Sequence, residues 1–283
     1  MSTPRTAEAV AAAIEMACRL EVTAPKPGNV SPTRPFGNMR YEDFLLSAAA
    51  IAPILADTSL GLGATIHWAV VATRRRVSAN TNLGIVLLLT PIARAARSQP
   101  GPLRPGVKRV LEATTVADAE EVYRAILLAR PGGLGKVGEQ DLSQAPTVTL
   151  LNAMRLAAGR DAIAAEYASG FQRTFESAMP GLRRARHDGL SWDDAIVEVY
   201  LSLLAASPDT LIARKHGVAA ARQVSDQATE VIQAGGVRTA PGRGALAAFD
   251  ASLADPHNSR NPGSTADLLA AGLLVLLLLD GLP

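Results

Sequence analysis

The 283 residues predict an all-α protein. Three observations lead there. Aromatic residues make up 4% of the chain against 48% hydrophobic residues overall, so alanine and leucine must fill the core, and these favour helices. Almost every apolar segment has helical length and lies between recognisable start and stop signals. No run alternates convincingly with period two, and no hairpin dipeptide separates two strand-like runs.

The spacing predicts about twelve helices, near 5–22, 41–57, 61–77, 82–98, 105–113, 116–130, 147–157, 160–177, 191–206, 209–234, 241–254 and 262–280. The first, TAEAVAAAIEMACRL, runs into Pro25-Lys26-Pro27-Gly28, which ends it. VVATRRRV has strand-forming residues in a helical setting, and Arg74 to Arg76 read as a solvated last turn. Ser191 can cap the helix SWDDAIVEVYLSLLAA, with Asp193 and Asp194 in its first turn. Ser207-Pro208-Asp209 and Asn261-Pro262 open the next long helix and the last one. Residues 98–108 are the most linker-like and 131–146 form a longer irregular loop, but neither divides the chain; residues 1–283 are expected to form a single compact domain.

Composition removes several function classes. A net charge of +2 and sparse aromatics argue against nucleic acid and acidic membranes as partners. Cys18 is the one cysteine, so neither an intrachain disulfide nor a cysteine zinc cluster can form. The four histidines, His67, His187, His216 and His257, include no i, i+4 pair for zinc, and no G-x-S-x-G elbow is present. The apolar tail from Leu268 to Leu279 is 12 residues, short of the roughly 20 that span a bilayer, and reads as a core helix. The N-terminus lacks a basic segment followed by an apolar run, so a cytoplasmic protein without a signal peptide is expected. A mean hydropathy of +0.15 permits a homodimer interface.

Five stretches carry the polar chemistry. EVTAPKPGNV is either a helix stop or a stiff loop, shaped by Gly28, that turns Lys26 and Asn29 toward an anion. In SANTNLG, Asn80, Thr81 and Asn82 either cap the following helix or read a sugar or nucleobase. GLGKVG, from Gly133 to Gly138, matches G-x-G-x-x-G but follows a helix rather than a strand, which argues against a dinucleotide fingerprint; it is either a flexible connector or a loop in which Gly133 and Gly135 let amides converge on an anion. DTLIARKHG places Asp209 with Arg214 and Lys215, a pair of cations suited to polyphosphate or to a solvated face. SRNPGSTADLL puts Asn261, Gly263, Ser264 and Thr265 at a helix N-terminus, a phosphate cradle or a simple cap, with Asp267 at the mouth of a very apolar helix.

PKPGNV, NTNLG, PGGLG, DTLIARK and NPGSTADLL, in this order and spacing, resemble the triphosphoribosyl-dephospho-CoA synthase family, which prepares the prosthetic group of citrate lyase and malonate decarboxylase. The resemblance runs from about Glu21 to Leu279. It implies an all-helical transferase that moves the triphosphoribosyl group of ATP to the 2′-hydroxyl of 3′-dephospho-CoA, releasing adenine, with Mg²⁺ on the triphosphate. Under that resemblance Lys26, Arg214 and Lys215 would hold phosphate. Gly263, Ser264 and Thr265 would add donors, and Asn80 and Asn82 would address ribose or base. Asp209 and Asp267 would serve as base, cation stabiliser or metal ligand. Glu21 would be a further catalytic carboxylate and Asp141 a further metal ligand. The citrate lyase branch reads N-T-H-K-G where this chain has Asn80-Thr81-Asn82-Leu83-Gly84, and Asn29 stands where the family often has leucine. The lost lysine removes a charge from the polyphosphate site or marks a related acceptor. Two other readings compete: a Mg²⁺-dependent nucleotide or ADP-ribosyl hydrolase on a helical scaffold, and a non-enzymatic helical binding protein.

Overall fold

The computed structural model describes residues 5–36, 39–98, 101–133, 139–255 and 259–282. Among the described residues fourteen α-helices account for the architecture, and the only extended pairings are the isolated bridges Ser31–Arg34 and Phe36–Met39. The first six helices are α1 (Ala7–Thr23), α2 (Tyr41–Ala56), α3 (Leu62–Arg76), α4 (Leu83–Ser98), α5 (Leu103–Glu112) and α6 (Val116–Ala129). Then come α7 (Leu150–Ala157), α8 (Ala162–Ser169), α9 (Met179–His187) and α10 (Trp192–Ala206). The last four are α11 (Thr210–His216), α12 (Val218–Gln233), α13 (Ala240–Ser252) and α14 (Gly263–Asp280).

Several start where a side-chain oxygen satisfies an orphan amide. Thr6, Thr115, Thr149, Asp161, Ser191, Asp209 and Thr239 cap α1, α6, α7, α8, α10, α11 and α13. The cap before α11 is Asp209 rather than Ser207, so the expected Ser-Pro start lies two residues early.

The core is organised around α14. Every residue from Leu268 to Leu278 is buried, and the helix packs against α1, α4, α8, α9, α10 and α11. By length and composition this helix alone of the fourteen could cross a bilayer, but it is apolar on all sides because it is surrounded by other helices. Gly272 permits the closest approach: a Cβ there would meet the Cβ of Ala178 at 2.5 Å. Ala178 ends a five-residue π-turn, Thr174–Ala178, that leads into α9. A small satellite cluster of Val22, Val30 and Phe36, with Met39, Tyr41, Phe44 and Leu45 against it, joins the loop after α1 to the start of α2.

Two departures from the sequence reading account for fourteen helices rather than twelve. The segment expected as one helix over 160–177 stops at Gly170, φ +65°, and Phe171, φ +61°; the chain then resumes through the π-turn into α9, which is not among the expected helices. Pro180 occupies the first turn of α9, where its missing donor costs nothing, and Gly181 lies against Val199. The helix expected over 209–234 is broken at Gly217, φ +88° and ψ 161°, which ends α11 and begins α12. Residues other than glycine avoid that conformation. Nothing lies within 4 Å of a Cβ built at Gly217, so Gly217→Ala should cost only the backbone strain, about 1–3 kcal/mol, read as a lower denaturant midpoint with an unchanged slope.

Candidate active site

Helix ends from distant parts of the chain converge on one cavity of about 870 Å³. Glu21 and Val22 enter from the end of α1, and Asn29, Val30 and Phe36 from the loop behind it. Arg74 comes from the last turn of α3 and Asn80 to Gly84 from the start of α4. Arg214 and Lys215 close α11, and Asn261, Gly263, Ser264 and Asp267 surround the start of α14. The arrangement puts the N-termini of α4 and α14 against the same space, with amides and dipoles that favour an anion there.

Asp267 is the distinctive group. Its carboxylate lines the cavity and accepts no hydrogen bond from any described residue. Burial, followed by the neighbouring charges of Glu21, Asp209 and Asp161, pushes its carboxyl well above the ordinary aspartate range, while Arg214 acts in the opposite direction. Gly84 makes room for it: a Cβ at that position would meet Asp267 Oδ2 at 2.0 Å. The glycine of NTNLG and the aspartate of NPGSTADLL, 183 positions apart by subtraction, are therefore one local feature.

Asp209 has a different place from the one expected. It is buried and does not line the cavity. Its Oδ1 accepts from the amides of Leu211 and Ile212 at 2.9 and 3.1 Å, and its Oδ2 accepts from the amide and hydroxyl of Thr265, both at 2.8 Å. Burial raises this carboxyl despite those four donors. With both oxygens occupied, Asp209 is a clamp joining the N-termini of α11 and α14, neither base nor metal ligand. Thr265 is turned into the same clamp and away from the cavity.

The cations divide. Arg214 and Lys215 lie in the last turn of α11 rather than the first turns of a long helix. Arg214 pairs with Asp161, and its Nε is buried with no partner among the described residues. Lys215 Nζ donates to Asn261 Oδ1 at 3.1 Å, and burial lowers its ammonium pKa. Lys26 does not reach the cavity. Its Nζ is buried, pairs with Glu21 Oε1 at 3.0 Å and also donates to the carbonyls of Glu21 and Ala24, so all three of its protons are used closing α1. The consequence for Glu21 is a carboxylate at the cavity wall already matched by a cation.

The remaining expected residues fall as follows. Asn80 caps α4 through Leu83 N at 3.1 Å, Thr81 bonds Ser47 at 2.6 Å and Asn82 bonds Thr73 at 3.1 Å; all three line the cavity, so capping and cavity placement coexist. Gly28, φ +72°, lies outside it, pressed against Leu253 and Pro262, and donates to Asp250 Oδ1 at 2.8 Å. Gly133, φ +76°, lines it and packs on Arg214, whereas Gly135 lies outside the described residues. Asp141 lines it with Oδ1 accepting from the amide and hydroxyl of Ser143. The expected metal set of Asp209, Asp267 and Asp141 is not assembled: among the described residues no three His, Cys, Asp or Glu side chains are grouped to hold an ion.

Two positions lining the cavity escaped the sequence reading. Asp161 caps α8 with Oδ1 and holds Arg214 with Oδ2, a link across 53 positions that no local pattern reveals. Arg74 turns into the cavity while Arg75 and Arg76 remain exposed; a three-arginine run gives no sign of which member points inward.

The sequence profile of the ATP:dephospho-CoA triphosphoribosyl transferase family matches residues 7–282. The chain belongs to that family. Among curated relatives, the 2-(5''-triphosphoribosyl)-3'-dephosphocoenzyme-A synthase of Klebsiella pneumoniae is 34% identical over 106 residues, 38% of this chain and 37% of that one. A protein of Pseudomonas syringae pv. tomato assigned the same name is 33% identical over 113 residues, covering 40% and 37%. The aligned segments thus span little more than a third of these relatives' lengths. A crystal structure from Archaeoglobus fulgidus, described as a candidate triphosphoribosyl-dephospho-CoA synthase, shares the fold with a TM-score of 0.62 at 24% identity, covering 82% of this chain and 97% of that one.

Two consequences for stability follow from the transferase-family site. The folded state holds a proton on Asp267 at pH values where the unfolded chain has lost it, so this group's contribution falls as pH rises from the ordinary aspartate range toward the raised value. In chelator-treated, ligand-free protein, Asp267→Asn should therefore raise the melting temperature at neutral pH and change it least near pH 4. Asp209→Ala should instead lower stability by about 3 kcal/mol in denaturant titrations, because four buried donors lose their acceptor.

Proposed function

We propose that this protein transfers the triphosphoribosyl group of ATP to the 2′-hydroxyl of 3′-dephospho-CoA, releasing adenine, as a cytoplasmic enzyme. The observation that carries the reading is the partnerless Asp267 carboxylate, set in a cavity where segments from all five polar stretches meet. A hydrolase or a passive binding protein gives no account of the family membership.

In this reaction the new bond joins the acceptor's 2′-oxygen to C1′ of the ATP ribose, and the bond from C1′ to adenine breaks. In its ionised form Asp267 takes the proton of the attacking hydroxyl, its raised proton affinity making that carboxylate a stronger base than an ordinary aspartate, and the departing adenine takes up a proton from solvent as it carries off the electron pair of its bond to C1′. Glu21, paired with Lys26 at 3.0 Å, faces the positive character that develops at C1′. The triphosphate is not cleaved and serves as a handle. Arg214 and Lys215, with the Ser264 amide at the start of α14, form the basic ledge for it, Gly263 giving its own amide to Asn261 O at 2.9 Å, and Asp161 orients Arg214.

The donor chemistry of the cavity wall also suits Mg²⁺. This ion commonly takes one or two carboxylates and completes its sphere with phosphate oxygens and water, so a three-carboxylate cage is not required. Asp141, on the cavity wall, would hold it, and when bound it neutralises charge on the triphosphate. Asp209 is excluded by its four hydrogen bonds.

Chromatographic measurement of adenine release from ATP and dephospho-CoA tests the reading. Asp267→Asn should slow release by about 10²–10⁴-fold, the usual range for removing a general base. An unchanged rate would reject Asp267 as the proton acceptor, and adenine release without any acceptor would favour hydrolysis.

A further inference from the structure

One wall of the cavity has chemistry that phosphate binding and proton transfer leave unused. Val22, Val30, Phe36, Met39 and Phe44 line it and belong to the satellite cluster, apart from the main core. The chain has five phenylalanines in 283 residues, and two of them are here. The loop bearing this wall is held in place: Asp250 accepts from Gly28 N at 2.8 Å and pairs with Arg34.

Asn29 stands within the same wall, and its amide orientation is set by its neighbours. The Tyr200 hydroxyl has a single proton, which it donates to Pro27 O at 2.9 Å, so it must accept from Asn29 Nδ2 at 2.8 Å. Nδ2 also donates to Pro27 O at 3.1 Å. Both amide protons are thus committed, and Oδ1 is left as an acceptor that no described residue uses. Asn29 is only 8% exposed, so that small surface belongs to the cavity. An acceptor of this kind does not attract an anion, as the sequence reading expected of Asn29; it selects a ligand N–H.

We propose that this wall and Asn29 Oδ1 form the subsite for a 6-aminopurine ring, with the apolar side chains against the ring and the carbonyl oxygen receiving a proton of the exocyclic amine. The inference rests on the proposed transfer, in which both substrates carry adenine. Position favours this wall: a departing base is bonded directly to C1′, and Val22 follows Glu21, the carboxylate assigned to C1′.

The test compares amino and oxo purines on the full chain. Calorimetry with free adenine and hypoxanthine needs no turnover. Steady-state kinetics then compare ATP with ITP at saturating dephospho-CoA, and dephospho-CoA with its hypoxanthine counterpart at saturating ATP; the arm showing discrimination identifies whose ring occupies the subsite. The wild type should prefer the amino form by about tenfold, and Asn29→Leu should reduce the preference below about threefold. Phe44→Leu, which leaves the Asn29–Tyr200 bond intact, should weaken adenine and hypoxanthine alike by about tenfold. Equal binding of the two bases by wild type, or a preference that survives Asn29→Leu, overturns the subsite. So does adenine affinity that Phe44→Leu leaves unchanged, the deciding result if Asn29→Leu does not fold. A chain that binds adenine with this preference but transfers nothing upholds the subsite and overturns the reaction.

Discussion

The carboxylate of Asp209 joins the two helix N-termini from which the site is built. One oxygen closes the first turn of α11 and the other the first turn of α14, so the end of α11, with Arg214 and Lys215, is carried to the place where Gly263, Ser264 and Asp267 begin the central helix. Four donors on one buried carboxylate leave it no capacity for chemistry, and that saturation is what makes it a dependable joint. Asp161 repeats the device more weakly, capping α8 with one oxygen and fixing Arg214 with the other.

The cavity contrasts with these joints. Polar groups around it are mostly paired: Glu21 with Lys26, Asn82 with Thr73, Thr81 with Ser47, Lys215 with Asn261. Asp267 stands out because it is left without a partner in a region where three other carboxylates already raise its proton affinity. A group in that condition costs the empty protein stability, and such costs are characteristic of sites organised for a ligand. Gly84 shows that the cost is accommodated in the backbone, since any larger residue there would displace the carboxylate.

Much of the fold was legible in the sequence because helix caps and apolar periodicity are local signals. Ser191 was read correctly as a cap, and α2, α3, α4 and α6 lie within a residue or two of their expected spans. The failures have physical causes. Gly217 interrupts a pattern whose apolar and charged residues run on across it, and α9, absent from the expected helices, has Pro180 in its first turn. At the site, the five stretches were recognisable as polar groups without a bland purpose, but their division of labour was not. Asp209 and Asp267 are both acidic residues near a helix start; only tertiary neighbours distinguish the clamp from the partnerless carboxylate. Lys26 looked available to phosphate because its partner Glu21, five residues earlier, was assessed separately from it.

The central claim is that the ledge beside Asp267 is shaped for a nucleoside triphosphate. Titration calorimetry with Mg²⁺–ATP on wild type and Arg214→Ala tests it most directly. The account predicts saturable binding at one site, weakened about tenfold or more when the guanidinium is removed. The absence of saturable heat in the wild type, or equal affinity in the two proteins, would contradict it.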